Sequence, residues 1–97
     1  MDNDILKAKT RNKLQSFIEQ TKIYKYIIVN NANNYSIQIT NKYTKDILLI
    51  NINFNKKIIV LTLENENNDD FIKLEFSLDN KGISLYKICL ENILKIF

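Results

Sequence analysis

The stretch Asp46–Glu64, DILLININFNKKIIVLTLE, decides the fold. It contains two apolar segments, Ile47–Ile52 and Lys57–Leu63, which a short polar turn around Asn55 separates. In each segment apolar residues occupy odd and even positions alike, a pattern typical of strands in the middle of a sheet or covered on both faces. We therefore predict that these two strands form the centre of a small sheet to which the other elements attach.

Three further strands flank this central pair in the sequence. Ile23–Val29 is rich in β-branched and aromatic residues, which favour strands. Tyr35–Thr40 alternates between apolar and polar residues, as a half-buried strand near the edge of a sheet does, and Phe71–Leu78 alternates in the same way. Because only short polar turns separate the five segments, we predict an antiparallel meander.

A helix is predicted at each end of the chain. Asp2–Lys22 has apolar residues at helical spacing along one side, and Asp2 or Asp4 can cap its first turn. Ile83–Phe97 has a broad apolar face, and Ser84 is its predicted cap. The order helix, five strands, helix predicts one α+β domain over residues 1–97, an α-β-β-β-β-β-α two-layer sandwich. We expect both helices on one face of the sheet; the alternative is one helix on each face.

Two features near the second helix carry specific expectations. Gly82 is the single glycine, so we expect it to take a backbone angle that other residues avoid. Ile93, Ile96 and Phe97 lie on the apolar face of the helix, and we expect all three to pack on the sheet. If this end were instead an exposed docking peptide, its removal would leave folding unaffected.

Composition indicates a globular protein of a reducing compartment. Hydrophobic residues make up 45% of the 97, and Cys89 is the single cysteine, so no internal disulfide can form. We expect Cys89 to be a buried, inert thiol. The chain has no apolar run long enough to span a bilayer, and we expect no secretory signal and a cytoplasmic location, in the source cell or in an infected host cell. Thirteen lysines against one arginine, with abundant Ile and Asn, indicate an AT-rich genome.

The residue types of most active sites are missing from the sequence. There is no histidine, which excludes Ser-His and Cys-His catalytic arrangements, and the single glycine excludes the usual phosphate-binding loops. We therefore predict a protein without catalytic, cofactor-binding or metal-binding residues that is not an enzyme. The acidic segment Glu64–Asp70 is rich in oxygen ligands but lacks the spacing of a calcium loop, so we interpret it as a solvated turn or an acidic contact surface.

The first helix provides the strongest indication of nucleic-acid binding. Residues 1–45 carry eight basic and three acidic residues, and Tyr24, Tyr26, Tyr35 and Tyr43 lie among the lysines. Tyrosine rings can stack on bases while cations contact phosphates. The candidate nucleic-acid-binding residues are Lys7, Lys9, Arg11, Lys13, Lys22 and Lys25. The competing interpretation is a solvated charged helix beside half-buried tyrosines.

The uncovered face of the sheet is the predicted protein interface. If both helices cover one face, apolar side chains of the central strands remain on the other, and monomers rarely expose such a patch unless something binds it. The register is open: strand three directs either Leu48, Ile50 and Ile52 or Ile47 and Leu49 to that face. The predicted interface comprises Leu48, Ile50, Ile52, Ile58, Val60, Glu64, Glu66, Asp69 and Asp70.

These observations favour a small binding protein with a protein partner and without a membrane partner. We expect an inhibitor or regulator from a phage or another mobile element, which acts on a host macromolecular complex by protein–protein contact. Two alternatives remain: a nucleic-acid-binding accessory protein that uses the basic first helix, and a structural subunit of a homo-oligomer.

Overall fold

The computed structural model describes residues 3–97, except for the side chains of residues 68–70. The predicted cap Asp2 therefore lies outside the described residues. The order of helices and strands, and with it the predicted fold class, is confirmed. The elements are α1 (Asn3–Glu19), β1 (Tyr24–Asn30), β2 (Asn34–Asn41), β3 (Asp46–Asn53), β4 (Ile58–Asn65), β5 (Asn68–Ser77) and α2 (Asn80–Ile96).

The five strands form one open antiparallel sheet in sequence order, β1-β2-β3-β4-β5, which confirms the meander. The central hairpin pairs Asp46 with Asn65 at one end and Asn53 with Ile58 at the other. The turns use left-handed backbone angles at two lysines, Lys45 (φ 66°) and Lys57 (φ 55°). Lysine thus occupies two turn positions whose backbone angles glycine adopts most easily.

Strand β2 shows which face of the sheet is buried. Tyr35, Ile37 and Ile39 are buried, whereas Ser36 and Gln38 between them are half-buried. Successive side chains of a strand point to opposite faces, so the strict alternation of this strand assigns one face to the core. The assignment extends through the sheet because Ile37 pairs with Ile50, which pairs with Leu61, and all of these are buried.

Both helices cover that one face. The core joins buried residues of α1, α2 and the sheet: Leu6, Leu14 and Ile18 with Ile83, Tyr86 and Leu90, packed on Ile37, Ile39, Leu48, Ile50, Ile52, Ile59 and Leu61. The Tyr86 hydroxyl of α2 donates a hydrogen bond of 3.4 Å to the Thr10 hydroxyl of α1 beneath the surface. On the outside, Lys13 of α1 forms an ion pair with Glu91 of α2. The alternative of one helix on each face is therefore wrong.

Helix α2 begins three residues before the predicted position, and its cap is Asp79. The Asp79 carboxylate accepts a hydrogen bond of 2.7 Å from the backbone N–H of Gly82, which lowers the pKa of this carboxyl, and a second hydrogen bond from the Ser77 hydroxyl acts in the same direction. The predicted cap Ser84 is wrong, because it lies inside the helix and its hydroxyl donates to the Asn80 carbonyl at 2.9 Å.

Gly82 is required for space and not for an unusual backbone angle. It is buried in the first turn of α2, and it is not among the residues with positive φ. A Cβ atom built on Gly82 would lie 1.9 Å from the carbonyl oxygen of Ser77, the last residue of β5. Helix α2 therefore starts in direct contact with the end of β5, and only glycine permits that approach.

Replacement of Gly82 by alanine should destabilise the protein by about 1–3 kcal/mol, because a backbone oxygen must move to admit the methyl group. Thermal unfolding measures the effect, at about 4–8 °C per kcal/mol for a domain of this size. Ser84→Ala in the same helix is the matched control and should change stability by less than about 0.5 kcal/mol. Equal melting temperatures for Gly82→Ala and the wild type would show that α2 does not approach β5 this closely.

The end of α2 packs through two of the three residues expected there. The Phe97 ring stacks on Tyr24 with centroids 5.8 Å apart and contacts Phe17 at 6.3 Å, and Ile93 is half-buried against the core. Ile96 is 75% exposed, so the expectation for this residue is wrong. Residues 93 and 97 are one helical turn apart and share a face, whereas Ile96 is rotated away from it.

Phe97→Ala should therefore destabilise the protein by about 1–3 kcal/mol, because the aromatic cluster with Phe17 and Tyr24 is lost. Ile96→Ala removes a comparable apolar group and should leave the melting temperature almost unchanged. Deletion of residues 93–97 should cost more than either substitution. A deletion variant that melts like the full chain would contradict this packing and favour an exposed docking peptide.

Candidate protein interface

The side of the sheet that faces away from both helices is here named the open face. Side chains that alternate with the buried ones project from it. The described residues of the open face are Lys25, Ile27 and Val29 of β1, Asn34, Ser36, Gln38 and Thr40 of β2, Ile47, Leu49, Asn51 and Asn53 of β3, Ile58, Val60, Thr62 and Glu64 of β4, and Phe71, Lys73, Glu75 and Ser77 of β5.

Apolar side chains lie on four of the five strands of the open face, whereas β2 contributes only polar ones. Those of the outer strands are the most accessible: Ile27 is 50%, Val29 is 51% and Phe71 is 61% exposed. Ile47, Leu49, Ile58 and Val60 of the central strands are half-buried by their neighbours in the sheet. Within residues 3–97 the helices lie on the opposite side, so none of these apolar groups is covered by a second layer.

One group of polar side chains on the open face is bonded internally. The Asn51 side-chain amide donates to the Asn34 side-chain oxygen at 2.7 Å and to the Ser36 hydroxyl at 2.6 Å, across the β2–β3 pair. Covering a polar group is costly when it loses water without gaining a partner. Because these groups already have partners, a surface placed on the open face would not leave these three side chains unsatisfied.

Charges on the open face balance, although one corner is basic. Among the described residues, Lys25 and Lys73 oppose Glu64 and Glu75, and the Lys73 and Glu75 side chains lie 3.6 Å apart. At the β1–β2 corner the charged groups surround a hollow of about 290 Å³. Its lining residues are Lys25, Ile27, Gln38, Thr40, Lys42, Lys45, Ile47 and Glu66. Among the described residues that line this corner, which we name the basic corner, three cations outnumber the single carboxylate of Glu66.

The predicted interface residues divide between the two sides of the sheet. Ile58 and Val60 lie on the open face, as does Glu64. The prediction for Leu48, Ile50 and Ile52 is wrong, because each of these three side chains is at most 1% exposed beneath the helices. Because β3 has apolar residues at both odd and even positions, its sequence does not show which set is buried. The alternative set, Ile47 and Leu49, lies on the open face.

The acidic part of the predicted interface is only partly described. Glu66 is exposed in the β4–β5 turn, and its backbone N–H donates to the Lys45 carbonyl at 3.3 Å, which places it at the basic corner. The side chains of Asp69 and Asp70 lie outside the described residues. Sequence reasoning omitted Phe71 from the interface, although the alternation of the predicted strand Phe71–Leu78 places it on the same side as Lys73 and Glu75 and is the signal that would have found it.

Two of the candidate nucleic-acid-binding cations of α1 are held in intramolecular contacts. The Lys7 ammonium donates to the Asn30 side-chain oxygen at 2.8 Å and to the Asn31 carbonyl at 3.2 Å, and it lies 5.5 Å from the centre of the Phe54 ring. Lys13 forms the ion pair with Glu91, and this hydrogen bond lowers the pKa of the Glu91 carboxyl. Each ammonium therefore has only part of its donor capacity left for a phosphate.

The other candidate cations lie on separate surfaces. Lys9 lines a groove of about 240 Å³ between α1 and α2, Arg11 lines a hollow at the end of β1, Lys22 is exposed after α1, and Lys25 lies on the open face. They do not form one continuous track for a phosphate backbone.

The predicted stacking residues are also divided. Tyr24 and Tyr35 are buried in the core, so the prediction that they stack on bases is wrong for these two. Tyr26 and Tyr43 are exposed, and Tyr43 lies in the β2–β3 turn. The most buried tyrosine is Tyr86, where desolvation raises the pKa of the phenol to about 12, so it remains protonated at neutral pH.

The remaining features add no second candidate site. Among the described residues, no group of three or more His, Cys, Asp or Glu side chains could hold a metal ion, and no helix is long and apolar enough to cross a membrane. Cys89 is half-buried on α2. Comparisons with protein-family models, curated proteins and solved structures found no match for this chain.

The separation of the cations leads to a test of nucleic-acid binding. We expect no binding to duplex DNA or single-stranded RNA at physiological salt, and any binding at low salt should be lost steeply as salt rises. Lys9→Gln with Arg11→Gln should weaken such binding equally for all sequences without changing the melting temperature. Fluorescence anisotropy over a salt series measures both effects. Sequence-selective binding that persists at physiological salt would contradict this expectation.

Proposed function

We propose that this chain is a non-enzymatic protein-binding module whose partner covers the open face. The proposal is supported by apolar side chains on four strands of the open face that no other described residues cover. These seven side chains are Ile27, Val29, Ile47, Leu49, Ile58, Val60 and Phe71. Exposed apolar patches on a protein surface mark interaction sites, and four of these side chains lie on the adjacent strands β3 and β4.

The chemistry of the open face suits a protein better than a nucleic acid. Its described strand residues carry equal numbers of Lys and Glu, whereas a phosphate backbone is bound by a surplus of Lys and Arg. Covering a side chain that is about half exposed, such as Ile27 or Val29, contributes roughly 1 kcal/mol. Several such contacts would surround Asn51, whose side chain is already hydrogen-bonded to Asn34 and Ser36. An apolar centre beside hydrogen-bonded polar groups is the usual anatomy of a protein interface.

The charge distribution also defines the partner's surface. Opposite the centre we expect apolar and aromatic side chains, and opposite the basic corner of Lys25, Lys42 and Lys45 we expect an acidic side chain. A protein that acts by occupying a surface needs no catalytic groups. An inhibitor or regulator of a host complex in the cytoplasm, encoded by a phage or another mobile element, fits this chemistry and the Lys-, Ile- and Asn-rich composition that indicates an AT-rich genome.

Leu49→Thr combined with Val60→Thr should abolish partner binding while the fold is retained. Both positions lie on the open face of the two central strands, and threonine, a β-branched residue that strands favour, removes apolar area at each. Ile88→Thr is the matched control, because Ile88 is exposed on α2, on the other side of the molecule. Tagged wild-type and variant proteins would be used for capture from source-cell extract, with quantitative mass spectrometry of the bound proteins.

The expected result is a protein that the wild type and Ile88→Thr retain in equal amounts and the open-face variant loses at least tenfold, a loss of about 1.4 kcal/mol or more in affinity. Circular dichroism and thermal melts of the three proteins serve as the control for folding. Equal capture by the folded open-face variant would overturn the proposal, and so would a captured species that nuclease removes.

A further inference from the structure

Strand β1 is an edge strand that lacks the usual protection against pairing. Both β1 and β5 lie at the edges of the sheet. The β5 edge carries Lys73 and Glu75, and charged side chains discourage a further strand. The β1 segment YKYIIVN carries one charge, Lys25, and no proline, and its central residues Tyr26 and Ile27 are exposed. An edge of this composition is available for strand addition.

The hydrogen bonds at the ends of β1 show which backbone groups point outward. The Ile23 carbonyl accepts from the Lys42 N–H at 2.9 Å, and the Asn31 N–H donates to the Asn34 carbonyl at 3.0 Å. In an antiparallel pair the bonded residues alternate, so the odd-numbered residues of β1 bond to β2. The N–H and C=O groups of Tyr26 and Ile28 therefore point away from the sheet. The outward N–H of Tyr24 is already bonded to the Gln20 carbonyl at 2.8 Å.

We propose that β1 pairs antiparallel with β1 of a second copy of this chain, around a twofold axis at Ile27. In this register Tyr26 lies opposite Ile28 of the second copy, and Ile28 opposite its Tyr26. These are the residues with outward N–H and C=O groups, so the two pairs exchange about four backbone hydrogen bonds. The two sheets become one sheet of ten strands, with both α1 helices on the same side.

The side chains of β1 favour a second copy over an unrelated strand. The register places an aromatic residue, Tyr26, against a β-branched residue, Ile28, which is a stabilising cross-strand pair. Lys25 falls opposite Val29 of the second copy, so the two Lys25 ammonium groups do not face each other and start about 13 Å apart along the strand. A closed twofold contact also covers the exposed β1 edge of each of the two copies.

This pairing extends beyond the proposed function because it uses the edge and leaves the open face accessible. It joins the open faces of the two copies side by side, with Ile27 and Val29 of each copy at the seam. The dimer would therefore offer the partner a surface about twice as large as that of one chain. The two proposals can fail separately, since Tyr26→Pro blocks backbone groups of β1 alone, whereas Leu49→Thr with Val60→Thr changes only side chains of β3 and β4.

Charge exchange at the twofold axis tests the register. Ile27→Lys and Ile27→Glu each place two like charges opposite each other, so each variant alone should dimerise at least about tenfold more weakly than the wild type. An equimolar mixture should form a heterodimer, because the introduced charges are then opposite. Light scattering after gel filtration at about 100 µM measures the mass against the chain mass of 11.5 kDa.

Tyr26→Pro is a second, independent variant. It removes an N–H that points away from β2, so the β1–β2 ladder is retained and the edge alone is blocked. We expect the wild type and the Leu49→Thr, Val60→Thr variant to have twice the chain mass and Tyr26→Pro to have the chain mass, with unchanged circular dichroism. A wild type that stays monomeric at this concentration would overturn the proposal. The proposal would also be overturned if the mixture of Ile27→Lys and Ile27→Glu failed to associate, or if Leu49→Thr with Val60→Thr dissociated the dimer.

Discussion

The burial of a single sheet face by both helices is the constraint on which the rest of the structure depends. Helix α1 lies over β1 and β2, and helix α2 lies over β5, on the same face of the sheet. The two helices are joined by the buried Tyr86–Thr10 hydrogen bond and by the exposed Lys13–Glu91 ion pair. Two helices placed together on one side leave none for the other. The open face, its apolar side chains and its possible partners all follow from that asymmetry.

The sequence predicts the types of the helices and strands well, but it predicts poorly which side chains of the central strands are buried. In the amphipathic helices and in the alternating strand β2, the sequence alone shows which side is buried, because the other side is polar. Strands β3 and β4 have apolar residues on both sides, so their own pattern does not distinguish Leu48 from Ile47 as the buried residue. The distinction comes from β2, where Ile37 is buried and pairs with Ile50, and it therefore requires knowledge of the pairing register.

Errors at the ends of α2 have a different origin. Ser84 and Asp79 are both good capping residues, and local preference alone cannot choose between them. The close approach of Gly82 to the Ser77 carbonyl makes the choice, because it fixes the first turn against the end of β5. This is a tertiary contact, as is the stacking of Phe97 on Tyr24 that separates Phe97 from the exposed Ile96. The same holds for Lys7, whose role at the end of β1 depends on a residue 23 positions away.

A small domain with one covered face has a specific energetic consequence. A chain of this size buries roughly 60–65% of its unfolded surface, so its stability rests on a modest core. Any protein that covers the open face binds the folded state alone and raises stability by mass action. Pairing of β1 with a second strand acts in the same direction, since the groups it satisfies exist as an ordered row only in the folded sheet. Binding at the open face and folding would therefore be coupled in this architecture, and residues such as Leu49 and Val60 would contribute more to stability in such a complex than in the isolated chain.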